Sequence, residues 1–179
     1  MYPDGVAGDL GELVKAKIRD VPDYPQPGII FKDITPLLGD GAAFSAVVAG
    51  LAVGHPDVDK VAGIEARGFI LAAPVACTLG AGFVPVRKKG KLPAATYSED
   101  YQLEYGTATI EVHQDAFAPG DRVLIVDDVL ATGGTACATA NLVQRAGAQV
   151  AGIVVLLELS FLDGRSRLPD LPVESLLVV

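Results

Sequence analysis

The feature that most constrains the fold is a series of short, continuously apolar segments that alternate with helical segments. Strands are predicted over residues 60–64, 82–86, 122–126, 150–157 and 174–179, and helices over residues 42–53, 68–79 and 135–146. Strands that are apolar at nearly every position are buried on both faces, which is typical of a parallel sheet with helices on each side. The sequence therefore predicts an α/β fold with a central, mainly parallel sheet flanked by helices.

Two segments depart from this alternation. Near the N-terminus, a helix is predicted over residues 9–20, and it is followed by a stiff loop with three prolines at residues 21–28. Within residues 97–112, the side chains alternate in polarity on both sides of Gly106, which predicts two strands joined by a turn at the glycine. With 179 residues, the chain is expected to form a single domain over residues 1–179.

The charge of the chain limits its partners. The formal net charge is −8, and an acidic protein is repelled by nucleic acid and by anionic membranes, so we expect neither as a partner. Four basic residues nevertheless lie within five positions: Arg87, Lys88, Lys89 and Lys91. Two interpretations of this cluster are open from charge alone, a binding site for a small anionic ligand and a solvated turn.

A membrane span and a secretory signal are both disfavoured. Residues 68–86 carry no charge and are long enough to cross a bilayer, but Pro74, Pro85 and two nearby glycines interrupt them, which indicates a buried helix, a turn and a buried strand. The N-terminal residues lack the basic region and apolar core of a signal peptide. Cys77 and Cys137 form no CxxC pair, and free thiols suit a reducing compartment. We therefore expect a cytoplasmic protein.

The most informative segment is VLIVDDVLATGGT, residues 123–135, in which a predicted strand ends in two acids and a glycine-bearing loop leads into a helix. Gly133 and Gly134 let the backbone approach a ligand closely, and the N-terminus of the helix favours an anion there. Thr132 and Thr135 can donate hydroxyl hydrogen bonds to the same anion. A sugar phosphate suits this arrangement, since the loop can bind the phosphate and the acids the hydroxyls. From the acids and glycines alone, a turn whose acids only cap the helix is equally open.

This segment resembles the phosphoribosyl pyrophosphate signature of the type I phosphoribosyltransferases. Four other segments resemble the adenine-specific members of that family, in the same order along the chain: YPQPGIIFKDITPLL (24–38), EARGF (65–69), RKKGKLP (87–93) and LEYG (103–106). The likeness covers nearly the whole chain from about Ile18. It implies a single phosphoribosyltransferase domain with an N-terminal hood segment (about residues 1–35) and a flexible two-stranded lid (about residues 94–113).

The resemblance also implies a reaction and a binding mode for the sugar. The implied reaction transfers the 5-phosphoribosyl group from phosphoribosyl pyrophosphate to adenine, giving AMP and pyrophosphate in purine salvage. Asp127 and Asp128 would hold the ribose 2- and 3-hydroxyls. The 5-phosphate would be cradled by the loop residues Ala131, Thr132, Gly133, Gly134 and Thr135. Tyr105 is also expected to contact the sugar phosphate.

The pyrophosphate is expected at Ala66 and Arg67, with further positive charge from Arg87, Lys88 and Lys91. From its local pattern alone, Arg67 could equally be a surface residue beside a helix start. A magnesium ion is implied between the pyrophosphate and the ribose hydroxyls, held mainly by substrate and water, so no cage of protein carboxylates is expected. The resemblance implies a homodimer, in which the neighbouring subunit can supply Arg87, and the mean hydropathy of +0.40 agrees with a buried interface.

The adenine site is expected on the hood segment. Phe31 would stack on the base, and the backbone at Ile30 and Lys32 would bind its edge, although the local pattern of Phe31 also fits an ordinary core aromatic. Glu104, on the lid, would be the catalytic acid/base, while its local alternative is a solvent-facing strand residue. Two other functions are weighed: a regulator that senses the sugar diphosphate or a purine, and a transferase for xanthine, hypoxanthine or orotate. The charge and the absence of a nucleic-acid-binding part disfavour the first, and the hood and lid motifs disfavour the second.

Overall fold

The computed structural model describes residues 6–102, 107–168 and 170–179. Its strands are β1 (Arg19–Pro22), β2 (Ile30–Asp33), β3 (Lys60–Ile64), β4 (Gly82–Lys88), β5 (Thr96–Gln102), β6 (Thr107–His113), β7 (Arg122–Leu130), β8 (Gln149–Glu158) and β9 (Val173–Val178). Its α-helices are α1 (Val6–Lys17), α2 (Thr35–Leu38), α3 (Gly41–Ala52), α4 (Arg67–Leu79) and α5 (Gly134–Arg145). Two short 3₁₀ helices, Ser160–Leu162 and Gly164–Arg167, connect β8 to β9.

The main sheet has seven strands in the order β5-β6-β4-β3-β7-β8-β9. The five strands from β4 to β9 in this order are parallel to one another, whereas β6 is antiparallel to β4 and to β5. The predicted mainly parallel α/β fold is therefore confirmed. The two strands predicted on either side of Gly106 correspond to β5 and β6, which form one end of this sheet, where β6 pairs with β4, while the predicted turn at Gly106 lies outside the described residues.

The core lies on both faces of the sheet, as the apolar strands predict. Along β7, Val123 and Ile125 pack into the cluster on the α5 side, while Leu124 and Val126 pack into the cluster beneath α1, α3 and α4. All four side chains are fully buried. Since successive residues of a strand point to opposite faces, a strand that is apolar throughout requires cover on both sides.

The prediction for β7 was wrong at its C-terminal end, which lies at Leu130 and not at residue 126. Parallel pairing with β8 continues past Val126, and Asp127 is opposite Val155 while Val129 is opposite Leu157. The two acids of the motif therefore lie inside a strand and not in the loop that follows it. Their backbone is fixed by the sheet, which restricts where their carboxyl groups can point.

Outside the main sheet, β1 and β2 form a separate antiparallel pair in the hood segment. Strand β1 was not predicted, because its sequence, RDVP, has neither an apolar run nor a clear alternation. The uncharged stretch at residues 68–86 is divided between α4 and β4, as expected. Within the described ranges, no helix is long and apolar enough to cross a membrane.

Candidate active site

An open cleft of about 410 Å³ lies at the carboxyl ends of β3 and β7. This is the edge at which ligands bind in open α/β sheets. The residues that line the cleft are Ile64, Glu65, Ala66, Arg67, Tyr101, Asp127, Asp128, Val129, Ala131 and Thr135. The cleft therefore brings together the predicted sites at Ala66 and Arg67, the two acids and part of the glycine-bearing loop.

The loop after β7 forms a smaller cavity of about 70 Å³, which is lined by Asp127 and residues 129–136. Gly133 has a φ of +76°, a conformation that favours glycine, and α5 begins at the next residue. No side chain in the described ranges caps this helix start, so its first N–H groups are available to an anion. Asp127 and Thr135 line both cavities, so the loop and the cleft adjoin each other.

The two acids are adjacent in the chain but have different environments. Asp128 is buried, and its Oδ2 lies 2.7 Å from Nη2 of Arg67. Among the described residues, Asp128 Oδ2 has no hydrogen-bond partner, and the other terminal nitrogen of the guanidinium, Arg67 Nη1, is also buried without one. Asp127 Oδ1 instead accepts a hydrogen bond of 2.8 Å from the backbone N–H of Asp128. Buried polar atoms without partners are expected where a ligand supplies the missing contacts.

The acid pair is costly to ionise without a ligand. Burial and the neighbouring charge of Asp128 raise the pKa of Asp127 well above its ordinary value of 3.8. Burial also raises the pKa of Asp128, although the guanidinium of Arg67 opposes this effect. Two adjacent carboxyl groups in such a setting favour ligands that bring hydroxyl donors or a cation to them.

The basic residues after β4 are organised by an acid that the sequence analysis did not single out. Glu65 Oε1 accepts a hydrogen bond of 2.6 Å from Lys91 Nζ, and its Oε2 accepts bonds from Arg87 Nε at 3.3 Å and from the Lys88 backbone at 3.0 Å. Burial opposes the ionisation of Glu65, but these donors lower its pKa to about 2. Of the predicted basic residues, only Arg67 lines the cleft, and the others surround Glu65 at its margin. The position of Glu65 directly before Ala66-Arg67 was the signal that could have identified it.

The hood segment contributes one aromatic residue beside the cleft. The ring centroid of Phe31 lies 4.8 Å from Cζ of Arg67, which is a cation–π contact. Ile30 is exposed, and Lys32 Nζ makes a 2.8 Å ion pair with Asp20. The structure thus places Phe31 next to the guanidinium that also contacts the acid pair. Glu104 and Tyr105 lie outside the described residues.

The donor set of the cleft suits a hard divalent cation that brings most of its own ligands. Across the described ranges, no group of three or more His, Cys, Asp and Glu side chains is arranged to hold a metal ion. Asp127 and Asp128 offer carboxylate oxygens at the cleft, and Asp128 Oδ2 has no hydrogen bond there. Mg²⁺ commonly binds through one or two carboxylates together with substrate phosphates and water. The residues present therefore fit a magnesium ion that arrives with a phosphorylated substrate.

Comparisons with known proteins give one consistent result. The phosphoribosyl transferase domain family matches residues 38–171. The chain is 67% identical over 173 residues to an adenine phosphoribosyltransferase of Acidothermus cellulolyticus, which covers 96% of this chain and 98% of that protein. A crystal structure of adenine phosphoribosyltransferase from Rhodothermus marinus is similar with a TM-score of 0.91 at 55% identity, over 96% of this chain and 99% of that one.

A third similar protein was crystallised with ligands. It is the adenine phosphoribosyltransferase of Saccharomyces cerevisiae in complex with D-2,5-dideoxy-2,5-imino-altritol 1,6-bisphosphate and adenine. Its TM-score is 0.89 at 36% identity, and the match covers 94% of this chain and 99% of that chain. The likeness therefore extends over nearly the full length of all three proteins.

Replacing Asp127 by asparagine is expected to stabilise the ligand-free protein at neutral pH. Because the pKa of Asp127 is raised on folding, its ionisation costs folding free energy once the pH rises above 3.8, its ordinary value. Asparagine has the same shape without the charge. In urea unfolding, the free energy of unfolding of Asp127→Asn should exceed that of the wild type at pH 8, and the gain should shrink as the pH falls towards 4. Asp115→Asn, in an exposed turn, is the control and should show no such gain. Parallel pH curves for Asp127→Asn and the wild type would contradict the prediction.

Proposed function

The chain belongs to the phosphoribosyl transferase family, and on this basis we propose that it transfers the 5-phosphoribosyl group from phosphoribosyl pyrophosphate to adenine, giving AMP and pyrophosphate in purine salvage. The observation that carries the proposal is that a glycine-bearing loop at a helix start and the acid pair, in which Asp128 is buried and Asp127 is half-buried, line adjoining cavities. A ribose 5-phosphate needs these two features side by side, one for the phosphate and one for the hydroxyls. The adenine-specific relatives support adenine as the base.

The ribose 5-phosphate is bound by the end of β7 and the start of α5. The backbone N–H groups of Ala131, Thr132, Gly133 and Gly134, with the hydroxyl groups of Thr132 and Thr135, donate to the phosphate oxygens. Asp127 and Asp128 accept hydrogen bonds from the ribose hydroxyls, which gives the buried Oδ2 of Asp128 the donor it lacks. Tyr105 is proposed to complete the contacts from the lid.

The pyrophosphate is bound at the start of α4. Arg67 breaks its contact with Asp128 and, with the backbone at Ala66, binds the leaving pyrophosphate. The basic residues around Glu65 add positive charge at the margin of the cleft. Mg²⁺ would be held mainly by substrate and water, with carboxylate oxygens of Asp127 and Asp128 available to it, and it would supply positive charge that stabilises the leaving pyrophosphate. We also assign Arg87, Lys88 and Lys91 to pyrophosphate binding. All three contact Glu65, which lines the cleft.

Adenine is proposed to bind between the hood and the lid. Phe31 offers an aromatic face beside Arg67, and the backbone at Ile30 and Lys32 binds the edge of the base. As the carbon–nitrogen bond forms and the bond to pyrophosphate breaks, the base loses a ring proton. Glu104 accepts that proton, and it returns the proton in the reverse direction. The lid also excludes water from the oxocarbenium-like centre.

The proposal is tested by incubating the purified protein with Mg²⁺, phosphoribosyl pyrophosphate and one base at a time. Adenine should give AMP and pyrophosphate in equal amounts, whereas hypoxanthine, xanthine and orotate should give little product. Preferential use of one of those bases would reassign the enzyme to a related transferase. Binding of the sugar diphosphate without turnover on any base would favour a sensor protein.

A homodimer is proposed as the working state of the enzyme, in which the neighbouring subunit can supply Arg87. Two large apolar side chains on adjacent elements support it, because Ile70 on α4 is 43% exposed and Phe83 on β4 is 38% exposed. The same strand leads into the basic segment at Arg87, so an interface over these residues would place that segment near the second subunit. We also propose a cytoplasmic location, which suits the free thiols of Cys77 and Cys137.

Replacing Glu104 by glutamine is expected to slow turnover by about 10²–10⁴-fold, because the side chain keeps its shape and loses its basicity. Direct binding of phosphoribosyl pyrophosphate should change little. Single-turnover formation of AMP measures the chemical step. Glu99→Gln is the matched control, since Glu99 is another acid of the lid and its side chain accepts a hydrogen bond from Asn141 at 3.0 Å. A normal chemical step in Glu104→Gln would remove Glu104 from the mechanism.

The wild-type protein is expected to sediment at micromolar concentration as a species of twice 18.5 kDa. Ile70→Glu would put a charge into the proposed interface and should shift the protein towards the monomer. Val53→Glu is the matched control, because Val53 is 41% exposed at the end of α3. A monomeric and fully active wild-type protein would contradict the dimer, and an unchanged mass for Ile70→Glu would place the interface elsewhere.

A further inference from the structure

We infer that the short helix Gly164–Arg167 is a support for the phosphate loop, in which Gly164 sets the position of the loop and Arg165 fixes Gly164 to the sheet. Both are positioning residues, since neither lines the cleft or the loop cavity. The inference rests on the proposed function, because it concerns the loop to which we assign the 5-phosphate. It extends that assignment to a segment about thirty residues further along the chain.

The first observation is the close approach of two backbones. A Cβ atom on Gly164 would clash with the carbonyl oxygen of Ala131 and would lie 3.0 Å from the nitrogen of Gly133. The contact is reciprocal, because a Cβ atom on Gly133 would clash with the carbonyl oxygen of Gly164. Gly164 is buried and does not have a positive φ, so glycine is required there for space alone. The segment therefore packs directly behind the part of the loop that would hold the phosphate.

The second observation concerns the beginning of the loop. Leu130, the last residue of β7, is paired with Glu158, the last residue of β8. The backbone N–H of Leu159 also donates a 2.9 Å hydrogen bond to the carbonyl of Leu130. The loop is thus fixed at its start by the end of β8, and Gly164 holds its later part. Both supports come from one stretch of chain, residues 158–164.

The third observation explains how Gly164 is kept in place. Arg165 forms a bidentate ion pair with Glu158, with Nε 2.6 Å from Oε1 and Nη2 2.7 Å from Oε2. Its Nη1 donates to the carbonyl of Val173 at 2.7 Å, and Ser175 donates a further hydrogen bond to Glu158. Glu158 is buried, and a planar guanidinium matches a carboxylate in a way that lysine cannot reproduce. Arg165 therefore ties the segment that contains Gly164 to the end of β8 and the start of β9.

These contacts give the phosphate loop a fixed shape before any ligand binds. An anion site made of backbone N–H groups depends on the directions of those groups, and a shift of about 1 Å removes much of the site's affinity for the anion. Loss of the support should therefore weaken ligands that carry the 5-phosphate and spare ligands that lack it. A general loss of structure would weaken both kinds of ligand together.

The test compares Gly164→Ala with Gly41→Ala, in which the added methyl group meets nothing within 4 Å. Binding of AMP and of adenosine is measured by calorimetry on each protein. In Gly164→Ala, the affinity for AMP should fall by about tenfold or more, the value of one charge-assisted hydrogen bond, and the affinity for adenosine should stay within about twofold. Gly41→Ala should bind both like the wild type. Binding of AMP to the wild-type protein tests the proposed function. If the wild type does not bind AMP, the proposed function is overturned before the variants are compared.

A second pair of variants tests the same support from a distance. Arg165→Met should reproduce the selective loss of AMP binding, and Arg165→Lys should recover only part of it because the bidentate geometry is lost. In steady-state kinetics, the KM for phosphoribosyl pyrophosphate should rise more than kcat falls. The inference is overturned if Gly164→Ala and Arg165→Met bind AMP normally, or if they lose AMP and adenosine in parallel.

Discussion

The continued pairing of β7 with β8 beyond Val126 is the constraint on which the site depends. Because of this pairing, strand hydrogen bonds fix the backbone of Asp127 and Asp128 at the edge of the sheet, and the phosphate loop begins at a fixed point after Leu130. An acid on a free loop could turn towards water, which would lower the free-energy cost of its ionisation. An acid inside a strand cannot, so the sheet itself imposes the raised pKa values of the pair. The strand interaction thereby determines both the geometry and the electrostatics of the cleft.

Without a ligand, the charges of the site are paired with one another. Arg67 contacts Asp128 and lies over Phe31, and Lys91 and Arg87 bind Glu65. A phosphorylated sugar can replace the first set of contacts, because it brings anionic oxygens for the guanidinium and hydroxyl donors for the acid. A nucleoside without phosphate brings only the hydroxyl groups. The pairing therefore favours ligands that satisfy both partners at once, because a ligand that replaces only one contact leaves a buried group unpaired.

Much of this fold could be predicted from the sequence, since apolar strands with helices between them allow few arrangements. The fully buried residues of β7 and the helix starting after Gly133 are direct consequences of local pattern. The end of β7 could not be predicted, because two acids and a valine read as the start of a loop, and only the partner strand β8 keeps them extended. Glu65 was missed because its role depends on residues more than twenty positions away, at Arg87 and Lys91. Contacts between distant segments leave no periodic signal in the chain.

The two halves of the proposed site rest on different sheets. The proposed phosphate side is built on the seven-stranded sheet, whereas the proposed base side lies on the two-stranded pair β1–β2. That pair is tied across its strands by ion pairs such as Arg19–Asp33 and Lys32–Asp20, and in each of them one partner is exposed to solvent. Under the proposed function, the phosphate therefore binds to the part of the cleft that the main sheet holds in place. Binding energy from the non-reacting phosphate is then available to orient the sugar for attack, which is where such energy raises the rate of the chemical step.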